Sequence, residues 1–167
     1  VFEQLPNQTG EIEIRQVIDG QQRLTTMQLF LIAMHDWLRS FTESTEAGKI
    51  AGMIEDLVSN SEKRWTLPDD RFKVWPTNSD RSVFRAVMTA GSKDAVLEIR
   101  KSLGKVDARI PEAYLFFYSA MDAFENSLAQ DAEEAVELMG TQQTNAYDLD
   151  LIFTSLWKVV QNSLLLV

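Results

Sequence analysis

Asp19-Gly20-Gln21-Gln22-Arg23-Leu24-Thr25-Thr26 gathers one carboxylate, two amides, a guanidinium and two hydroxyls into a single short stretch. Such a set can bind a phosphorylated ligand: the guanidinium and amide N–H groups donate, and the carboxylate takes a cation or a ribose hydroxyl. Placement adds a second source of donors. The alternating residues Glu11 to Ile18 read as a strand and the residues after Gly20 read as a helix, so Gly20 stands where the chain must turn tightly. The first N–H groups of that helix have no intrahelical acceptor and form the positive end of its dipole, a seat for phosphate. The same residues also admit a plainer role. Asp-Gly is a common turn, Asp19 can cap the helix, and Gln, Arg and Thr are ordinary in a first turn.

Other chemistry-bearing residues are sparser. Bases alternate with aromatics in Lys63-Arg64-Trp65 and Arg71-Phe72-Lys73-Val74-Trp75, followed by Arg81 and Arg85. That pattern makes Arg64, Arg71, Lys73 and Arg81 candidates for nucleic-acid contact, with guanidinium on phosphate and rings on bases. Against it, Glu62, Asp69, Asp70 and Asp80 offset the charge, and Trp65, Phe72 and Trp75 suit core anchoring. His35 is the only histidine and reads as structural. With no cysteine and no clustered histidines, neither a disulfide framework nor a zinc site is expected, and no serine stands in a nucleophile elbow.

The elements that must position these residues are mostly helical. Val1 to Leu5 and Glu11 to Ile18 read as two strands joined by Pro6-Asn7-Gln8-Thr9-Gly10, which has hairpin-turn chemistry. Leu24, Met27, Leu31, Met34, Leu38 and Phe41 recur at steps of three and four, which predicts one apolar helix face ending near Phe41. Ile50, Met53, Ile54 and Leu57 mark a second helix over 46–59. Pro68 and Pro76 break the next segment around a short extended piece, 72–75. Further helices are expected over 80–89, 93–103, 111–129, 132–139 and 145–162. The fold class is therefore α+β and predominantly helical: residues 1–41 form strand-turn-strand plus the motif helix, 42–162 a helical region, and 163–167 the start of a further strand, all in one domain of 1–167.

Composition sets outer limits. Forty-five per cent hydrophobic and 25% charged residues over 167 positions suit one globular domain. The longest apolar runs are too short to span a bilayer and no leader pattern opens the chain, so no membrane partner and a cytoplasmic location are expected. Between Ile110 and Trp157 stand nine acids and no Lys or Arg, so the formal charge of −9 belongs to that segment, which would repel a nucleic-acid backbone.

The string Val17-Ile18-Asp19-Gly20-Gln21-Gln22-Arg23-Leu24-Thr25-Thr26 resembles the DGQQR signature of the domain family found in GmrSD-type, modification-dependent (type IV) restriction endonucleases, where a ParB/sulfiredoxin-like domain carries it. Arg71 to Pro76, Asn78 to Phe84, Arg109 to Phe117 and Ser163 to Val167 are similar, less distinctively, to later elements of that family. The resemblance implies that the chain is a fragment of a ParB/sulfiredoxin-like domain that binds an NTP, GTP or ATP, with Mg²⁺. Asp19, Gly20, Gln21, Gln22, Arg23, Thr25 and Thr26 would form the nucleotide site. Arg23 would neutralise charge on a transferred phosphoryl group, and Gln21 or Gln22 would orient the attacking water. Asp19 would contact metal or ribose, and Thr25 or Thr26 would cap the helix or touch Mg²⁺. NTP turnover would control a nuclease domain or subunit outside the chain, with DNA engaged by the full-length protein and a homo-oligomer as a further expected partner. HNH-type nuclease motifs need several histidines, and one is present. Two alternatives stay open: a nucleotide-responsive switch without turnover, and a non-catalytic helical interaction module.

Overall fold

The run Leu29-Phe30-Leu31-Ile32-Ala33-Met34 has no polar side, and a helix that is apolar all round must be buried. In the computed structural model, which describes residues 2–4, 15–17, 19–76, 78–139 and 149–164, the helix that contains it lies at the centre. This is α1 (Gln21–Arg39), buried at Gln28, Leu29, Leu31, Ile32, Ala33, Met34, Asp36, Trp37 and Leu38. The expected single apolar face is thus corrected. Leu31, Met34 and Leu38 are buried as predicted, but Leu29, Ala33 and Trp37 on other sides are buried too.

Two partners cover most of α1. They are α2 (Thr45–Val58) and α5 (Arg109–Met139). On α2, Ala47, Ile50, Ala51, Ile54 and Val58 repeat at helical spacing and are buried. Its start is fixed by Ser44, whose hydroxyl accepts from the Ala47 N–H at 2.9 Å and donates to Asp150 at 2.5 Å. That second bond ties α2 to α6 (Leu149–Leu164), whose Phe153 meets Trp37 and Phe41 with ring centroids 5.5 and 4.9 Å apart. Against α5 pack α3 (Arg81–Met88) and α4 (Lys93–Ser102), the latter capped by Ser92. One core cluster runs from Leu29 to Val160.

Strand content among the described residues is small. β1 (Phe2–Gln4) pairs antiparallel with β2 (Arg15–Val17), Phe2 opposite Val17 and Gln4 opposite Arg15. The proposed turn at 6–10 lies outside the described residues. Between α2 and α3 the chain makes three 3₁₀ turns, Glu62–Arg64, Pro68–Arg71 and Asn78–Asp80, and a lone bridge joins Ser59 to Phe72.

Two expectations are corrected at the far end. Helices 111–129 and 132–139 are one helix, because nothing from Ser127 to Met139 is a glycine or proline that would stop it. The strand expected from Ser163 does not begin there: α6 continues through Leu164, and 165–167 lie outside the described residues. The acidic segment is also less isolated than its sequence implies. Lys93 pairs with Asp122 at 2.6 Å and Arg100 with Glu112 at 2.9 Å, both from α4 onto α5.

Candidate functional site

Gly20 sits in the left-handed region, φ +91° and ψ 8°, and accepts the first α1 hydrogen bond, from the Leu24 N–H at 3.1 Å. A residue with a Cβ is strained in that conformation, which is the reason for glycine; space is not, since a Cβ would meet only the Arg23 guanidinium, at 3.9 Å. Among the described residues no side chain caps the helix. Asp19 does not cap it, and the Thr25 and Thr26 hydroxyls donate back to the Gln21 and Gln22 carbonyls at 3.0 and 2.9 Å. The capping roles considered for Asp19, Thr25 and Thr26 are corrected accordingly.

Around that corner the polar groups differ in how they are engaged. Asp19 and Arg23 are highly exposed and only 4.0 Å apart, a contact that holds neither in place. Gln22 is exposed as well. Gln21 is different. Its amide nitrogen donates to the Trp75 carbonyl at 3.1 Å, across 54 positions of sequence.

That bond brings the basic-aromatic segment to the motif. Trp75 packs its ring on Phe72 and Phe84, with centroids 4.9 and 6.1 Å away, and both of these are buried. The Arg81 and Arg85 guanidinium carbons lie 5.3 and 5.8 Å from the Trp75 centroid. Arg85 also pairs with Asp69 at 2.7 Å. The four nucleic-acid candidates sit in different local settings. Arg71 and Lys73 line an open cleft of about 630 Å³ whose walls include Glu55, Asp56 and Glu62, and Lys73 donates to the Asp56 carbonyl. Arg64 stands in an exposed 3₁₀ turn.

The irregular segment that carries Trp75 is organised by one carboxylate. A single Asp70 oxygen accepts from the Thr66 N–H and hydroxyl at 2.8 Å each and from the Leu67 N–H at 2.9 Å. These bonds, the Leu67 N–H foremost, hold the Asp70 carboxyl below its ordinary value of 3.8. A lowered folded-state value means the stabilisation is complete above 3.8 and is lost as pH falls through the folded-state value. Chemical denaturation of Asp70→Asn beside wild type is expected to show a stability gap that is constant near neutral pH and narrows under acid. A gap independent of pH would remove Asp70 from this role.

His35 has a structural place, as its sequence context implied. Its Nδ1 lies 2.8 Å from one oxygen of Asp36, whose other oxygen accepts from the Tyr114 hydroxyl at 2.7 Å. Asp36 is buried mid-helix and was missed in the sequence; its signal was an acid interrupting the run from Leu29 to Leu38. Burial, then the Asp36 charge and hydrogen bond, push the Tyr114 phenol well above its usual range, so it stays the donor. Among the described residues no group of three or more metal-ligating side chains occurs, and no helix is long and apolar enough to cross a membrane.

Fold and corner together define a helical domain whose central helix opens on a glycine-led, exposed polar turn. The family model described as the GmrSD restriction endonuclease, N-terminal domain, matches residues 2–159, and the chain belongs to that family. No curated protein and no solved structure matches it.

Proposed function

We propose that the chain is the nucleotide-binding, NTP-hydrolysing sensor domain of a modification-dependent DNA restriction protein whose nuclease lies outside it. The carrying observation is the start of α1: Gly20 is left-handed, no side chain among the described residues caps the helix, and Asp19, Gln22 and Arg23 are all exposed around it. Family membership supports the restriction setting, since the matched domain is that of a restriction endonuclease. In this reading the helix-start N–H groups cradle a phosphate of GTP or ATP, Arg23 neutralises it, and Asp19 takes Mg²⁺ or ribose. Thr25 and Thr26 flank the site from the first turn. The β1–β2 pair leading into α1 would be the sheet corner of a ParB/sulfiredoxin-like domain. A cytoplasmic setting, a homo-oligomer and DNA contact through the full-length protein belong to the same proposal.

Gln22 is the amide we assign to orienting water, because the Gln21 nitrogen is already spent on Trp75. The same bond favours the second reading, a switch that binds nucleotide without turnover, since only one of two candidate amides is left for chemistry.

Calorimetric titration of the full-length protein with GTP and ATP plus Mg²⁺ tests the proposal. Wild type is expected to bind one of them, and Arg23→Ala to weaken binding by about 10- to 100-fold, the loss of a charge-assisted hydrogen bond. Failure of wild type to bind either nucleotide would overturn it. Turnover by wild type that is lost in Gln22→Ala would separate the hydrolase from the switch.

A further inference from the structure

The Gln21–Trp75 bond does more than anchor a helix end. It joins α1 to the residue on which Arg81 lies. We infer that Arg81 is a second phosphate-binding cation of the nucleotide site, and that Gln21 is the positioning residue that sets it there through Trp75. This rests on the nucleotide reading above. The ligand class is the polyphosphate chain of a nucleoside triphosphate, with Arg23 and Arg81 contacting it from two sides.

Four features carry the assignment. Trp75 is held by ring contacts with Phe72 and Phe84, so it offers a guanidinium a well-packed aromatic partner. Two guanidiniums lie over that ring, but they are engaged differently: Arg85 is also paired with Asp69, whereas no ion pair to Arg81 occurs among the described residues. Arg81 is exposed, so its guanidinium is open to a ligand from solvent. A guanidinium held beside an aromatic ring by cation–π attraction keeps its N–H groups available for bidentate contact with phosphate oxygens.

Gln21 then has a stated job. Deleting its amide frees the Trp75 carbonyl from α1 and lets the platform drift from the corner. Its effect on binding passes through Arg81 instead of through contact with the ligand.

The test is titration of the full-length protein with the nucleoside triphosphate that wild type binds, and with the matching monophosphate, using Arg81→Gln, Gln21→Ala and the double variant. Arg81→Gln keeps the hydrocarbon stem on the ring and removes the charge, and thermal melting confirms that each variant is folded. The expected result is triphosphate binding weakened about five-fold or more by Arg81→Gln, with a smaller effect on the monophosphate. The double variant should bind no worse than Arg81→Gln alone, because a residue acting through another adds nothing once the other is gone. Wild-type affinity in Arg81→Gln, together with lost affinity in Arg23→Ala, would overturn the inference and leave the nucleotide site standing. Additive losses in the double variant would overturn the positioning role of Gln21. No binding by wild type would remove the nucleotide reading itself.

Discussion

Trp37→Ala is expected to lower the unfolding free energy by about 3–5 kcal/mol, the range for truncating a fully buried aromatic side chain. Trp37 is 1% exposed and stands where three elements meet. Its ring takes Phe41 edge-on at 5.0 Å and Phe153 edge-on at 5.5 Å, so it joins the end of α1 and the following loop to α6. Truncation removes the apolar transfer term, leaves a cavity among stiff neighbours and deletes two aromatic pairs. For a domain whose whole stability is about 5–15 kcal/mol, that is a large share. Urea unfolding followed by circular dichroism would measure it. A loss below about 1 kcal/mol would mean that α6 is not docked on Trp37, since no well-packed core site yields so little.

Asp36→Ala should cost about 3 kcal/mol for a different reason. The carboxylate is 4% exposed, and its two oxygens face the His35 ring and the Tyr114 hydroxyl. Removing it leaves the Tyr114 O–H buried with no acceptor, and an unmade buried hydrogen bond costs more than a made one contributes. Tyr114→Phe takes away the donor from the other side and should cost about 1–2 kcal/mol. The pair should be less destabilised than the sum of the single variants, because the second substitution removes a group the first had orphaned. Full additivity in a double-mutant cycle would show that the two side chains do not act as a unit.

Much of the helical framework was legible because it follows from spacing and capping. Ile50 and Ile54 repeat at one helical turn and are fully buried on α2, and the α3 and α4 boundaries fall within two residues of those predicted. Errors came where local pattern underdetermines the outcome. A split was expected between Ala129 and Ala132, but no glycine or proline stands there and Ala, Gln and Glu around it are good helix formers, so α5 runs through. Ser163 and Leu164 read as strand because a short apolar run has no period of its own.

The candidate site divides in the same way. The Asp19 to Thr26 string determined by itself that the corner is polar, that it opens a helix and that glycine is needed there, because backbone conformation and helix-end chemistry are set by neighbours in sequence. The apolar run from Leu29 to Met34 likewise required α1 to be buried. Only the tertiary structure decided which donors remain available. It gave the Gln21 amide to Trp75, seated Arg81 by an aromatic ring and brought the Tyr114 hydroxyl to Asp36. The physical reason is separation along the chain. Gln21 and Trp75 are 54 positions apart, and Asp36 and Tyr114 are 78 apart. Such partners are chosen by how the helices pack and by the cost of leaving a buried polar group unpaired, and neither is written in any single stretch of sequence.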